Sequence, residues 1–293
     1  MFPAPPAPAF PDDQHATFEG ALRYEDCAQD GRLVPIALPP TMGGLWRTVI
    51  STHAGQRAAL KTGVIPILTR MTLLSLDQPV RIDRAIEVRA GFVLAHDRDA
   101  TGEVSRLFMN VWTDVKGIAG RIGPRQVDGA LSPAGTLFAE HTFTRLFAPP
   151  DQRKVTRLEV EGYPAVPELR YAAPAPATAA EAPDGATWLD ELARDPVDVP
   201  FTLDQTDANQ HVNSLVYIRT FCDAAARRFA AAGKPLKLRS KAVDIAYRKP
   251  CFAGDRVYSV LRMFSLGDSL GAAGHIAGED GKVRCYVRVC FAP

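Results

Sequence analysis

Apolar and polar residues alternate over residues 81–94, where Ile82, Ile86 and Val88 share one parity and Asp83, Glu87 and Arg89 fall on the other. A period of two predicts a strand with one buried face, and Leu107, Met109 and Val111 repeat the pattern farther on. Upstream the period lengthens. Met42, Trp46, Val49 and His53 recur every three or four residues between Pro39-Pro40 and Gly55, which predicts one helix ahead of these strands, weakened in its first turn by Gly43-Gly44. The same order returns later in the chain. A short strand is expected near 197–203, then a helix over 214–232 with Ile218, Phe221, Cys222, Ala225 and Phe229 as its buried stripe and Gly233 and Pro235 as its stop. Strands follow at 238–247, 256–264, 270–277 and 283–291, the last two joined by the turn dipeptide Asp280-Gly281, with Val283, Cys285, Val287 and Val289 on one face.

Each half therefore reads as a strand, one helix and a run of antiparallel strands, a duplicated α+β unit. Asp26-Cys27-Ala28-Gln29-Asp30-Gly31-Arg32 aligns with Gln205-Thr206-Asp207-Ala208-Asn209-Gln210-His211 at a separation of 179, and Asp77-Gln78-Pro79-Val80 aligns with Arg248-Lys249-Pro250-Cys251 at 171. Between the halves, ten of the twelve residues 172–183 are Ala or Pro, the composition of a linker. The expected organisation is a floppy Pro/Ala leader over 1–16, a first unit over 17–162, a linker over 163–195 and a second unit over 196–293.

Composition narrows the function classes. Thirty-four Lys and Arg against thirty-three Asp and Glu give a formal charge of +1, so no global field draws the 293-residue chain to nucleic acid or anionic lipid. The hydrophobic share of 46% fills a core and excludes wholesale disorder. Cysteines 27, 222, 251, 285 and 290 form no CxxC pair and suit a reducing compartment. The leader lacks the basic start and apolar run of a secretory signal, and Arg or Asp interrupts every candidate membrane span, so a cytoplasmic location is expected. His15, His53, His96, His141 and His275 show no ligand spacing and are read as structural or exposed; neither a metal nor a cofactor is called for.

The most specific string is Asp207-Ala-Asn209-Gln-His211-Val-Asn213, with Tyr217 four residues on. It sets polar groups just ahead of the 214–232 helix, where unpaired N–H groups and the positive end of the helix dipole suit a carbonyl oxygen that becomes an anion. Asp207 brings a carboxylate, His211 a titratable base and Asn209 an amide able to hold either one, the groups needed to activate water or attack a thioester. Capping accounts for Asn213 by itself, and Tyr217 suits a packed position with its hydroxyl bonded. Cys251 has no histidine near it in sequence and is expected in the core. Lys234, Lys237, Arg239 and Lys241 suit a solvated strand entrance better than a grip on phosphates or an acidic carrier.

These residues resemble the hotdog-fold thioesterases, the acyl-ACP and 4-hydroxybenzoyl-CoA thioesterases in particular, in which Asp-x-Asn-x-His-Val-Asn with a Tyr shortly after precedes the central helix. The resemblance extends loosely to Ala246-Tyr247-Arg248-Lys249-Pro250-Cys251. It implies a double hotdog, two antiparallel sheets each wrapped round a long helix in one chain. It also implies hydrolysis of an acyl-CoA or acyl-carrier-protein thioester, with Asp207, Asn209 and His211 catalytic; Asn213, Tyr217 and Lys241 are the expected substrate contacts beside them. Pro250 stands where the plant enzymes carry a catalytic Glu. Ala28 and Arg32 occupy the acid and histidine positions of the first half, so one active site per chain is expected, with the degenerate half as partner wall. A homo-oligomer of such chains is open. So are two other readings, a double-hotdog enoyl-CoA hydratase and a non-catalytic acyl-thioester-binding protein; the hydratase motif Asp-x-Asn-Pro-x-His is one residue longer than the string here.

Overall fold

The computed structural model describes residues 2, 4–122 and 128–293 of the chain. Five strands precede the linker: β1 His15–Gly20, β2 Ile65–Ser75, β3 Ile86–Arg98, β4 Val104–Ile118 and β5 Leu131–Thr144. The two-residue pairings β6 Thr187–Trp188, β7 Ala193–Arg194 and β8 Val199–Pro200 come next, then β9 Arg239–Tyr247, β10 Arg256–Leu266, β11 Ser269–Gly278 and β12 Val283–Ala292. All pair antiparallel in the order β1-β3-β4-β5-β2-β9-β12-β11-β10, with β6, β7 and β8 along the outer edge of β10. Outward from the centre, β2-β5-β4-β3 in the first half matches β9-β12-β11-β10 in the second.

Two expectations change here. The expected pair of sheets is one continuous sheet, because β2 and β9 pair directly from Arg70 opposite Ala246 to Leu74 opposite Ala242. Among the described residues, a long helix is present only in the second half. There, α3 (Ser214–Ala231) buries Ile218, Phe221, Ala225 and Phe229 against the sheet. In the first half the expected helix is broken into a 3-10 turn Pro39–Met42, the single turn α1 Gly43–Leu45 and a π turn Trp46–Ile50, followed by α2 Ala54–Lys61. Pro39 and Pro40 open the first turn, where a missing N–H is tolerated, so the break is not theirs. Gly44 has a positive reason to be glycine: a Cβ there would collide with the Phe18 ring of β1. The strand expected from residue 81 begins at Ile86, because Arg81 turns its guanidinium onto Asp83 and Asp128 instead of entering the sheet. Neither β2 nor β5 was distinguished by alternation; Thr72, Leu73, Phe138 and Ala139 are buried on successive positions, as in strands covered on both faces.

One face of the sheet packs on the helices through Met71, Leu73, Val243, Ile245, Val287 and Val289. The opposite face at the seam is charged and buried. Asp244, with no exposed surface, accepts from Arg70 Nε at 2.9 Å and Nη2 at 2.6 Å, from Thr72 Oγ1 at 3.2 Å and from Arg288 Nε at 3.1 Å. Linker residues close over it: Arg70 Nη1 donates to Thr178 Oγ1 at 3.0 Å and Arg288 Nη1 to the Glu181 carbonyl at 3.2 Å. The Ala/Pro segment is thus laid down on the back of the sheet. The leader is held too, since Trp112 Nε1 donates to the Pro5 carbonyl at 2.9 Å and the Phe10 and Trp112 rings lie 6.1 Å apart.

Breaking a buried ion pair from one side strands the other charges, so Asp244→Ala should cost about 3–5 kcal/mol in urea unfolding, whereas replacing Arg70, Asp244 and Arg288 together by apolar residues should recover most of that loss. A second prediction concerns His141 on β5, buried against Trp46 at a ring separation of 5.7 Å. Burial lowers its pKa to about 4. The unfolded chain therefore binds the extra proton first, so this contribution is present above pH 6.5 and is lost as pH falls toward the folded value. Between about pH 7 and pH 4.5 the native protein should lose about 2 kcal/mol more stability than His141→Phe, measured by urea unfolding at each pH.

Candidate active site

The motif is a tight hairpin and only its end is a helix cap. Thr206 and Val212 pair antiparallel. Inside that bridge, Asp207 N–H donates to the His211 carbonyl at 3.0 Å and Gln210 N–H to the Asp207 carbonyl at 2.9 Å. Gln210 sits at φ 66°, the left-handed position that such three-residue loops need and usually fill with glycine. Asp207 and His211 thus face each other across the turn on a backbone that their own amides hold. The Asp207 carboxylate is oriented from within the motif: Oδ1 accepts the Asn209 N–H at 2.9 Å, and Oδ2 has a long 3.5 Å contact from Asn213 Nδ2. Asn213 Oδ1 caps α3 by accepting Leu215 N–H at 2.9 Å. Asp207 and His211 are half-buried, while Asn209 is exposed.

The hairpin is clamped from behind by the loop after β9. The Cys251 carbonyl accepts Val212 N–H at 2.8 Å, and Cys251 N–H donates to Tyr217 Oη at 2.8 Å. Tyr247 Oη donates to the Ser214 carbonyl at 3.0 Å, fixing the end of β9 to the start of α3. Tyr217 is therefore a buried tie, 3% exposed, with burial pushing its hydroxyl pKa up. Cys251 is fully buried and burial raises its thiol pKa, consistent with a core position. Lys241 is not part of this arrangement. It lies six residues from Tyr247 along β9, about 20 Å at 3.3 Å per residue, and its Nζ donates to Asp77 Oδ2 at 2.9 Å. Arg239 joins it on Asp77 at 2.7 Å, so half of the basic run is spent on ion pairs across the seam. These cations hold the Asp77 carboxyl below the usual range, Lys241 most of all. Two open clefts of about 470 and 490 Å³ flank the leader, lined by Asp12, Asp13 and His53 in one case and by Pro8, Pro164 and Leu169 in the other; no motif residue lines either.

The first half repeats the hairpin bond for bond. Cys27 pairs with Leu33, Ala28 N–H donates to the Arg32 carbonyl at 2.8 Å, and Gly31 N–H donates to the Ala28 carbonyl at 2.9 Å, each 179 residues before its counterpart. Val34 N–H reaches the Asp26 carbonyl as Asn213 N–H reaches that of Gln205, both at 2.9 Å. Gly31, at φ 80°, holds the position of Gln210. The backbone is kept and the chemistry is not: Ala28 has no acid, and Arg32 Nε donates to the Asp77 carbonyl at 2.5 Å.

Residues 199–293 match the family model described as the acyl-ACP thioesterase C-terminal domain. That stretch carries the whole motif, and the resemblance read from its residues to the acyl-ACP thioesterases holds. The crystal structure of an acyl-ACP thioesterase from Bacteroides thetaiotaomicron superposes with a TM-score of 0.62 at 14% identity, over 96% of this chain and 98% of that one. The 12:0-ACP thioesterase from Umbellularia californica gives 0.55 at 13% identity, over 95% and 97%. At these identities the likeness is one of fold, and it spans both halves. No curated protein matches the chain in sequence. Among the described residues, no helix is long and apolar enough to cross a membrane.

The sequence reading passed over Phe252, whose ring lies beside His211; the turn residues Pro250 and Gly254 that bracket it were the available signal. Removing the cap tests the hairpin-to-helix junction: Asn213→Ala should cost about 1 kcal/mol in thermal or urea unfolding, and Asn213→Ser should retain most of it.

Proposed function

We propose that the chain is a thioesterase that hydrolyses an acyl thioester of carrier protein or CoA to free acid and thiol, at one site per chain built on the Asp207–His211 hairpin. The observation that carries this reading is the contrast between two copies of one turn: the copy inside the matched domain bears Asp207, Asn209 and His211, and the other bears Ala28, Asp30 and Arg32. In this reading each half is one hotdog unit, 17–162 and 196–293, and the first serves as the wall against which the second works. The repeated strand order supports the division.

The chemistry follows from the atoms at the turn. Asp207 Oδ2, bound only loosely by Asn213, is the oxygen that removes a proton from water or attacks the thioester carbon itself. Either route forms a C–O bond, breaks the C–S bond and consumes one water. His211, opposite Asp207, shares the proton and returns it to the departing thiolate. The start of α3 presents the positive end of an 18-residue helix to the oxyanion. Tyr217 and Lys241 take no part in substrate contact here, the first being internal and the second engaged with Asp77.

A free-thiol assay over acyl-CoA and acyl-carrier substrates tests this. Asp207→Asn should lower turnover on the order of a hundredfold or more while circular dichroism stays native, because the amide keeps the carboxylate's shape without its charge. Near-normal turnover in that variant would refute the assignment, and activity restored by adding Ala28→Asp to it would refute the single site.

A further inference from the structure

The loop after β9 carries one side chain that the hairpin does not account for. Phe252 is 51% exposed, yet its ring lies edge-to-face on the His211 imidazole, with centroids 6.0 Å apart and planes at 67°. The ring is put there by main-chain bonds. Phe252 N–H donates to Asp255 Oδ2 at 2.9 Å and Asp255 N–H returns to the Phe252 carbonyl at 3.1 Å. Gly254 N–H donates to the Phe201 carbonyl at 2.8 Å, and Phe201 N–H to the Asp255 carbonyl at 2.9 Å. The preceding residue, Cys251, is bound on one side by Val212 and on the other by Tyr217. Gly254 closes the turn at φ 93°, a conformation that side chains rarely adopt. Residues 251–255 are thus locked to positions 201, 212 and 217, which bracket the motif.

That lock has a use. The bonds within the hairpin fix the Cα of His211 and leave the torsions of its ring unset, and the last torsion of an imidazole is broad. A group that must pass a proton needs its nitrogen aimed to within a few tenths of an ångström. We propose that Phe252 is a positioning residue that holds the His211 imidazole in its working orientation, and that the 251–255 loop is built to present it. The proposal rests on the reading of His211 as a participant in thioester hydrolysis. An edge-to-face pair restricts ring rotation and shields one side of the imidazole from water. Because Phe252 is itself half exposed, removal of its ring leaves the core intact.

The test compares native protein with Phe252→Ala and Phe252→Tyr. The proton resonance of His211 Hε1, assigned with His211→Gln, is read by NMR in the free protein, and kcat and KM are measured with one acyl thioester. Phe252→Ala should move the resonance as the ring current is lost and lower kcat about tenfold, with KM within about twofold of native and thermal unfolding little changed. Phe252→Tyr should keep both resonance and kcat. An alanine variant with native resonance and native kcat would overturn the proposal, as would a rise in KM alone, which would make Phe252 a substrate contact. A native protein that cleaves no thioester would defeat the hydrolase reading by itself, while the resonance would still decide whether the phenyl ring holds the imidazole.

Discussion

A single buried carboxylate at the join of two half-sheets organises this molecule. Asp244 on β9 lies opposite Thr72 on β2 and takes Arg70 from one half and Arg288 from the other. Charges removed from water are tolerated only when their partners are exact in distance and direction. A slip of β2 against β9 by one residue would send Arg70 and Thr72 to the apolar face and leave Asp244 with Arg288 alone. The ion cluster therefore sets the register of the seam. Everything outward follows from it, because each later strand is paired on its neighbour.

The linker and leader are drawn into the same constraint. A chain of Ala and Pro has little to bury and would ordinarily stay loose. Here it closes the back of the sheet over Arg70, Arg288 and Glu140, whose Oε2 accepts the Tyr171 hydroxyl at 2.9 Å. Short pairings with β10 and the ion pairs of Arg227 with Asp195 and Arg228 with Asp190 carry the segment past the edge strand to α3. The outermost long strand of the second half is thereby kept from offering a bare edge.

The two halves carry one hairpin twice, with the same main-chain bonds. The first copy has glycine at its left-handed residue and directs Arg32 to Asp77 at the seam. The second accepts a strained glutamine there and carries Asp207 and His211 at the two bonded backbone positions. The main-chain bonds are kept while the side chains change: the turn that holds Ala28 and Arg32 holds Asp207 and His211 in the same pattern. Rigidity around the second copy comes from β9 and its following loop, which reach the motif through Val212, Tyr217 and Ser214.

Local chemistry was legible in the chain itself. The stripe of α3, the four strands β9–β12, the Asp280-Gly281 turn, the duplicated order and the motif of Asp207, Asn209 and His211 are all short-range patterns, written in periods of two or 3.6 and in residues a few positions apart. Long-range pairing is not written that way. That β2 joins β9 into one sheet, that Lys241 serves Asp77 and not the motif, and that Tyr217 is a tie to Cys251 depend on residues dozens to more than 160 positions apart. In the first half, Gly43-Gly44 was visible as a weak point for a helix, but the approach of Phe18 that Gly44 admits was not. Sequence determined the short-range patterns and the string from Asp207 to Asn213; only the tertiary structure decided which residues meet, because register across a sheet is settled by the burial of distant partners.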